Sequence, residues 1–69
     1  MKYKVGDIVT VRSDLEVHER YGCEFFAPRM VKFKGKKVTI DRIAYCNYEI
    51  EEDGREFYWT DEMFEKVEE

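Results

Sequence analysis

The stretch V-G-D-I-V-T-V-R-S-D-L, residues 5–15, decides the fold that this sequence predicts. A Gly-Asp turn leads into an alternation that places Val9 and Val11 on one face of a strand and Ile8 on the other. A strand with a single apolar face is typical of an antiparallel sheet that covers a core on one side. We therefore expect the first strand over about residues 7–13.

The second decisive stretch is F-Y-W-T-D-E-M-F-E-K-V, residues 57–67. Alternation predicts a strand that directs Phe57 and Trp59 to the same face. Thr60 and Asp61 are residue types that begin helices, so we expect one short helical turn after this strand. Residues 66–68 are then expected to form the last, short strand.

The segment between the first two strands reads as a long loop over residues 14–28. Tyr21-Gly22 is a turn signal within it, and Phe25 and Phe26 are expected to anchor it to the core. Pro28 ends any strand there and is expected to begin a short helical turn, because proline suits the first helical position.

The middle of the chain predicts two further strands. Gly35 marks a turn, and K-K-V-T-I-D-R-I over residues 36–43 directs Val38 and Ile40 to one face. A period-two alternation follows over residues 48–51, and Asp53-Gly54 is a strong hairpin signal.

These elements predict a single all-β domain over residues 1–69. The expected architecture is a small, partly open, five-stranded SH3-like barrel with a long early loop and one helical turn before the last strand. An OB-type barrel is the alternative, but it needs longer strands than 69 residues supply. The predicted core consists of Val9, Val11, Met30, Val38, Ile40, Ile50, Phe57, Trp59, Met63 and Phe64.

Composition limits the class of protein. No apolar run approaches the roughly 20 residues of a membrane span, and no signal peptide precedes the first strand. We therefore expect a soluble, cytoplasmic protein. Two cysteines are too few for a disulfide-rich framework, so Cys23 and Cys46 are expected to be thiols, although their proximity cannot be read from the sequence.

The charge is unevenly distributed along the chain. The net charge is −4, yet residues 1–48 hold ten basic against six acidic side chains, and residues 49–69 hold two against ten. Such asymmetry bears on partners and association rates. The acidic side chains around the predicted hairpin form an acidic strip that could face a basic partner: Glu49, Glu51, Glu52, Asp53 and Glu56.

A basic segment supports a different hypothesis, contact with nucleic acid. Its residues are Arg29, Lys32, Phe33, Lys34, Lys36 and Lys37, with no acid among them. Basic side chains contact phosphates, and an exposed aromatic ring stacks on bases. Against this, the sequence pI of about 5.0 is unlike the basic balance of most nucleic-acid binders.

The sequence gives little support to catalysis or metal binding. A nucleophile pair of Cys23 with His18, the single histidine, lacks an evident third group to orient it. Zinc needs about four ligands, and these residues with Cys46 supply three without paired spacing. The carboxylates of the acidic strip read as a solvated face rather than a glycosidase pair. We therefore expect that the chain is not an enzyme and that it binds neither a metal nor a cofactor.

Another hypothesis is an aromatic cage that binds a methylated amine. Its residues would be Tyr45, Tyr48, Tyr58 and Trp59. Alternation places Tyr48 and Trp59 in the core instead. Proline-rich peptide recognition is not expected, because the A-L-Y-D-Y element and tandem Trp of signalling SH3 domains are missing from the sequence.

A resemblance to a known group of proteins rests on V-G-D-x-V-x-V-R-S-D-L, Tyr21-Gly22, Met30, Gly35-Lys36, V-T-I at residues 38–40, E-E-D-G and above all W-T-D-E-M-F, residues 59–64. On these motifs, the chain resembles small SH3-like proteins carried by phages and prophages of Gram-positive bacteria. It implies the fold and the provenance, and activity hardly at all. Some phage proteins of this size inhibit host defence nucleases, anti-CRISPR proteins among them.

We therefore expect a non-enzymatic, phage-type module that binds a host protein through the acidic strip, with inhibition of a host defence nuclease as its specific form. A nucleic-acid-binding accessory factor is the alternative. The chain is expected to be a monomer or a weak homodimer, and any dimer is expected to use residues 21–35.

Overall fold

The computed structural model of the chain describes residues 2–54 and 56–65. The protein is all-β, as predicted, with two small antiparallel sheets. Neither sheet closes into a barrel within the described residues. The strands are β1 (Ile8–Thr10), β2 (Arg20–Tyr21), β3 (Glu24–Phe25), β4 (Lys37–Ile43) and β5 (Tyr48–Ile50). The larger sheet has the order β1-β4-β5, and β2 pairs with β3 alone.

The register of the larger sheet directs its apolar residues to one face. Val9 lies opposite Val38 in the β1–β4 pair, and Ile40 lies opposite Ile50 in the β4–β5 pair. All four side chains are buried, which confirms the alternation read from the sequence. The register shifts between Ile40 and Arg42, an irregularity of the kind that bends a strand.

Two isolated bridges extend this sheet beyond its outer strands. Val11 pairs with Phe64, beside β1, and Tyr48 pairs with Trp59, beside β5. The stretch around Trp59, expected to be a strand, thus makes a single bridge. The predicted last strand at residues 66–68 lies outside the described residues.

Both predicted helical turns are present as short 3-10 helices, at Pro28–Phe33 and at Asp61–Met63. Pro28 occupies the first helical position, where its missing N–H costs nothing. Thr60 precedes the second helix, but its hydroxyl donates to the carbonyl of Tyr21 (2.8 Å) instead of capping that helix. The described part of the chain contains no helix long and apolar enough to cross a membrane.

The long early loop contains the β2–β3 hairpin. Its turn residue Gly22 has φ +68°, and a Cβ at this position would lie 3.3 Å from Thr60 Cβ and closer still to the carboxylate of Glu62. Glycine is needed there for both conformation and space. Phe26 anchors the loop as predicted and is fully buried, whereas the expected anchor Phe25 is 62% exposed.

The core surrounds Trp59, which is fully buried. Its ring lies edge-on to those of Phe26 and Phe33 and stacks on Phe64, with centroids 5.7–6.5 Å apart. Nine of the ten predicted core residues are buried; the tenth, Phe57, is half-buried and packs against the others. Four further residues belong to the core: Leu15, Phe26, Phe33 and Tyr48. Of these, the sequence predicts Phe26 as a loop anchor and Tyr48 by alternation.

Candidate interaction surface

A disulfide joins the turn of the β2–β3 hairpin to the loop between β4 and β5. Cys23 and Cys46 are bonded through their sulfurs, with Cα atoms 6.4 Å apart, within the range that a disulfide spans. The expectation that both cysteines are thiols is therefore wrong for this structure. Folding brings the hairpin and the loop together across a sequence separation of 23 residues, which no local pattern reveals.

Two polar side chains complete this junction, which we call the disulfide joint (Cys23, Glu24, Cys46 and Asn47). The Asn47 amide is 9% exposed, and its Nδ2 donates to Glu24 Oε2 at 3.0 Å. Its Oδ1 is buried and has no hydrogen-bond partner among the described residues. The sulfurs and a Glu24 carboxylate oxygen all lie within 4.8 Å of one another. No motif in the sequence marks Glu24 or Asn47 as site residues.

Large apolar side chains are exposed on both segments that the joint connects. Phe25, two residues after Cys23, is 62% exposed, and Tyr45, next to Cys46, is completely exposed. Exposed aromatic residues on fixed loops are typical of binding surfaces, because little conformational entropy is lost when a partner arrives. We call Phe25 and Tyr45 the aromatic pair.

The hairpin is also held from its other side. Arg12 Nη1 donates to the carbonyl of Glu62 at 2.7 Å, and the same guanidinium forms two 2.9 Å hydrogen bonds with Asp14. These bonds lower the pKa of the Asp14 carboxyl. The Arg12 guanidinium lies 5.8 Å from the ring centroid of Tyr21, whose hydroxyl accepts from the Glu16 amide at 2.8 Å. The hairpin is thus fixed at both its base and its turn.

Two members of the acidic strip serve the fold directly. Asp53 Oδ2 accepts from the indole Nε1 of Trp59 at 3.0 Å and from the Phe57 amide at 3.2 Å. Glu52 accepts from both the backbone amide (2.8 Å) and the hydroxyl (3.0 Å) of Thr39. These carboxylates close the hairpin onto β4 and satisfy a buried indole.

The other three members of the strip differ in exposure. Glu49 is mostly buried, with 13% of its side chain exposed, and lies 3.7 Å from Arg42, although alternation pointed it to solvent. Glu56 forms a 2.7 Å ion pair with Arg29. Glu51 is exposed. The strip therefore presents less uncompensated charge than its sequence suggests.

The basic segment lies along the first 3-10 helix and the start of β4. Phe33 is 8% exposed and packs edge-on against Trp59, so its ring does not face solvent. The ammonium groups of Lys32 and Lys34 lie 5.5 and 5.7 Å from the centroids of Phe33 and Phe26, so these lysines lie over core rings. Of the six predicted residues, Phe33 belongs to the core and Arg29 to an ion pair, while Lys36 and Lys37 are exposed.

A tyrosine–carboxylate pair joins β5 to the second 3-10 helix. The Tyr48 hydroxyl donates to Asp61 Oδ1 at 2.5 Å and accepts from the Tyr3 amide at 3.1 Å. Burial, and then the hydrogen bond to Asp61, raise the pKa of Tyr48 to about 12. The pKa of Tyr3 is raised as well, chiefly by burial. Tyr48 and Trp59 are core residues, as alternation predicted, so they are not available to an aromatic cage.

His18 and Cys23 do not form a nucleophile pair in this structure. Cys23 is bonded to Cys46, so its sulfur is not a thiolate. His18 is exposed and has φ +72°, in the left-handed region, and its backbone amide donates to the Phe26 carbonyl at 2.8 Å. His18 thus helps to turn the loop toward the buried Phe26.

Comparison of the chain with protein-family models, with curated proteins and with solved structures found no match. The resemblance to small SH3-like phage proteins stays a prediction.

Proposed function

We propose that this chain is a non-enzymatic protein-binding module whose contact surface is the aromatic pair presented by the disulfide joint. The observation that carries this proposal is the complete exposure of Tyr45, together with the 62% exposure of Phe25, on two segments that the disulfide joint brings together. Tyrosine and phenylalanine are enriched in the cores of interfaces, and tyrosine is among the residues that carry most of the binding energy there.

We also propose that the fold is of the SH3-like, partly open barrel type. In support, the bridges of Val11 with Phe64 and of Tyr48 with Trp59 extend β1-β4-β5 by one position at each edge. Five chain segments then lie side by side: the segment at Phe64, β1, β4, β5 and the segment at Trp59. The short 3-10 helix Asp61–Met63 connects the two outer segments, as expected for this type of barrel.

The proposed partner is a host protein, and the proposed setting is the host cytoplasm, on the resemblance to phage and prophage proteins. A host defence nuclease is the specific target to test. The exposed acids of the strip, Glu51 and Glu52, would steer the module toward a basic nucleic-acid channel, which raises the association rate in a salt-dependent manner. The aromatic pair would then supply the affinity.

The test is affinity capture from host lysate, with the immobilised protein at low and at moderate salt. A partner bound specifically should be retained by wild type and lost by a Phe25→Ser/Tyr45→Ser variant. The control is Val5→Ser/Ile8→Ser, which removes two apolar side chains that are 62% and 63% exposed elsewhere on the surface. No protein above background at either salt, or equal capture by both double variants, would count against the proposal.

A second candidate, contact with nucleic acid, rests on the exposure of Lys32, Lys36 and Lys37 along one stretch. Phe33 cannot stack on a base, because it lies in the core. The lysines of this segment would therefore contact phosphates alone. Retardation of DNA or RNA should then be independent of sequence and should weaken steeply with salt. The absence of any shift at about 50 mM salt would remove this candidate.

A further inference from the structure

We propose that the disulfide joint, once reduced, is a binding site for a thiophilic divalent cation such as Zn²⁺, with Cys23 Sγ, Cys46 Sγ and the Glu24 carboxylate as ligands. The proposal does not depend on what the module binds. The ligand set differs from the one considered in the sequence, because the folded chain brings Glu24, and not His18, close to the two cysteines.

The positions of the donor atoms carry the first part of the argument. The two sulfurs and one Glu24 carboxylate oxygen lie within 4.8 Å of one another. Tetrahedral zinc with Zn–S bonds of about 2.3 Å places two sulfur ligands about 3.8 Å apart. The reduced sulfurs therefore need to separate only from bonding distance to this spacing. Thiolate and carboxylate are also the donor types that zinc prefers.

Asn47 is an independent observation at the same place. It follows Cys46 directly, it is 9% exposed, and its Oδ1 has no hydrogen-bond partner among the described residues. Leaving a buried acceptor unsatisfied is unfavourable. The other amide atom, Nδ2, donates to Glu24 Oε2 at 3.0 Å, as groups around metal sites hold a carboxylate ligand in place. A cation or its bound water would offer Oδ1 a partner that the described part of the chain does not supply.

The chemistry balances as a two-electron exchange followed by ligand binding. A dithiol reductant attacks the Cys23–Cys46 bond; two protein thiols form and the reductant becomes a cyclic disulfide. Zinc then replaces the two thiol protons, which are released to solvent, and the Glu24 carboxylate donates an electron pair without a proton change. Cys23 is exposed, so reductant and cation both have access to it.

The two states of the joint exclude one another, since the same sulfur electron pairs form either the S–S bond or the Zn–S bonds. In a reducing compartment the covalent link between the hairpin and the β4–β5 loop opens. A bound cation would restore that link without oxidation. The joint would then position the aromatic pair under both conditions.

The experiment uses the full chain, reduced with dithiothreitol and freed of it under anaerobic conditions. Zn²⁺ is titrated in competition with a chromophoric chelator, and Co²⁺ is titrated as a spectroscopic probe of thiolate ligation. We expect one cation per chain for the reduced protein, intense thiolate-to-cobalt absorption, and no such binding for the oxidised protein. Equal binding by both forms, or no stoichiometric binding by the reduced form, would overturn the proposal.

Variants separate this site from a pair of bare thiols. Cys23→Ser and Cys46→Ser should each abolish stoichiometric binding, and Glu24→Gln should weaken it about tenfold or more. The control Glu19→Gln alters an exposed acid on the same loop and should bind as wild type does. Unchanged affinity in Glu24→Gln would disprove the three-ligand site.

Fluorescence of Trp59 shows whether the bound protein is folded, because its indole is fully buried in the native core. If reduction alone unfolds the chain, one equivalent of Zn²⁺ should restore the native emission, as binding free energy becomes folding free energy. Zinc binding to a chain whose emission remains that of the unfolded state would contradict the proposal.

Discussion

Asp53 and Trp59 are joined by a hydrogen bond of 3.0 Å from the indole Nε1 to the carboxylate Oδ2, across the hairpin turn that follows β5. The same oxygen accepts from the Phe57 amide, so one carboxylate holds both the returning backbone and the central core residue. Trp59 is fully buried, and this bond is what lets its polar atom enter the core without an unsatisfied donor. Asp53 is thus a structural residue within the acidic strip.

Replacing Asp53 with alanine should lower the free energy of unfolding by about 1–3 kcal/mol, because the buried indole N–H loses its acceptor. Urea denaturation of the oxidised protein measures this loss. Glu51→Ala, which removes an exposed carboxylate of the same strip, is the control and should stay within about 0.5 kcal/mol of wild type. Equal stability of the two variants would mean that the indole bond contributes nothing.

Trp59→Ala should be the most damaging single change in the chain. It empties the centre of the aromatic cluster, and such truncations cost about 3–5 kcal/mol. For a domain of this size that is a large part of the total stability. Thermal unfolding followed by circular dichroism measures the effect; a midpoint within one or two degrees of wild type would show that the core is misassigned.

The strands could be predicted because each has one apolar face. Val9 and Val38 follow period-two alternation, and this alone directs them inward. Alternation does not predict which of the adjacent Phe25 and Phe26 is buried, because the sequence predicts a loop there and a loop has no regular period. The turn at Gly22 settles this, because it aligns β2 with β3 and leaves Phe25 outside.

The candidate site was harder to predict, because its members are brought together only by tertiary structure. Cys23 and Cys46 belong to different loops, and their distance depends on how the hairpin packs against the large sheet.

For the acidic strip, the residues are evident in the sequence but their contacts are not. Among those contacts are the hydrogen bonds of Glu52 with Thr39, which tie one of these charges to β4.

Tyr48 should make the protein less stable at high pH. Its pKa is raised from the ordinary 10.0 to about 12 in the folded state, so the folded chain retains a proton that the unfolded chain releases. The unfolded state therefore binds fewer protons between about pH 10 and pH 12, and the free energy of unfolding falls as pH rises through this window. Below about pH 10, this contribution is fully present.

Urea denaturation at several alkaline pH values, together with tyrosinate absorbance, measures this dependence. Tyrosinate absorbance of wild type should include a late step from Tyr48, and this step should vanish in Tyr48→Phe. Tyr3, whose pKa is also raised, should titrate late in both proteins. A Tyr48→Phe variant with the same loss of stability over this pH range would assign the effect to another group.

Reduction of the disulfide should destabilise the protein by about 3 kcal/mol, the loss expected when a loop of this size is no longer closed in the unfolded state. Thermal unfolding with and without dithiothreitol, in the presence of a chelator, measures the difference. Cys23→Ser/Cys46→Ser should unfold near the midpoint of the reduced protein and should be indifferent to the reductant. A wild type equally indifferent to it would show that the cysteines are not bonded in solution.

The oligomeric state should depend on Phe25 if a dimer forms. We expect a monomer or a weak homodimer that uses residues 21–35, because an exposed phenylalanine beside a fixed hairpin is an apolar surface that a second copy can cover.

The test of this dimer needs a substitution that leaves the fold intact. Phe33→Asp is unsuitable, since Phe33 lies in the core and a charge there would unfold the chain. Phe25→Asp leaves the core intact, and Val5→Asp is its matched control, because both side chains are 62% exposed. In light scattering over a range of concentrations, any dimer should weaken in Phe25→Asp and persist in Val5→Asp. A dimer weakened only by Val5→Asp would place the interface near the beginning of the chain instead.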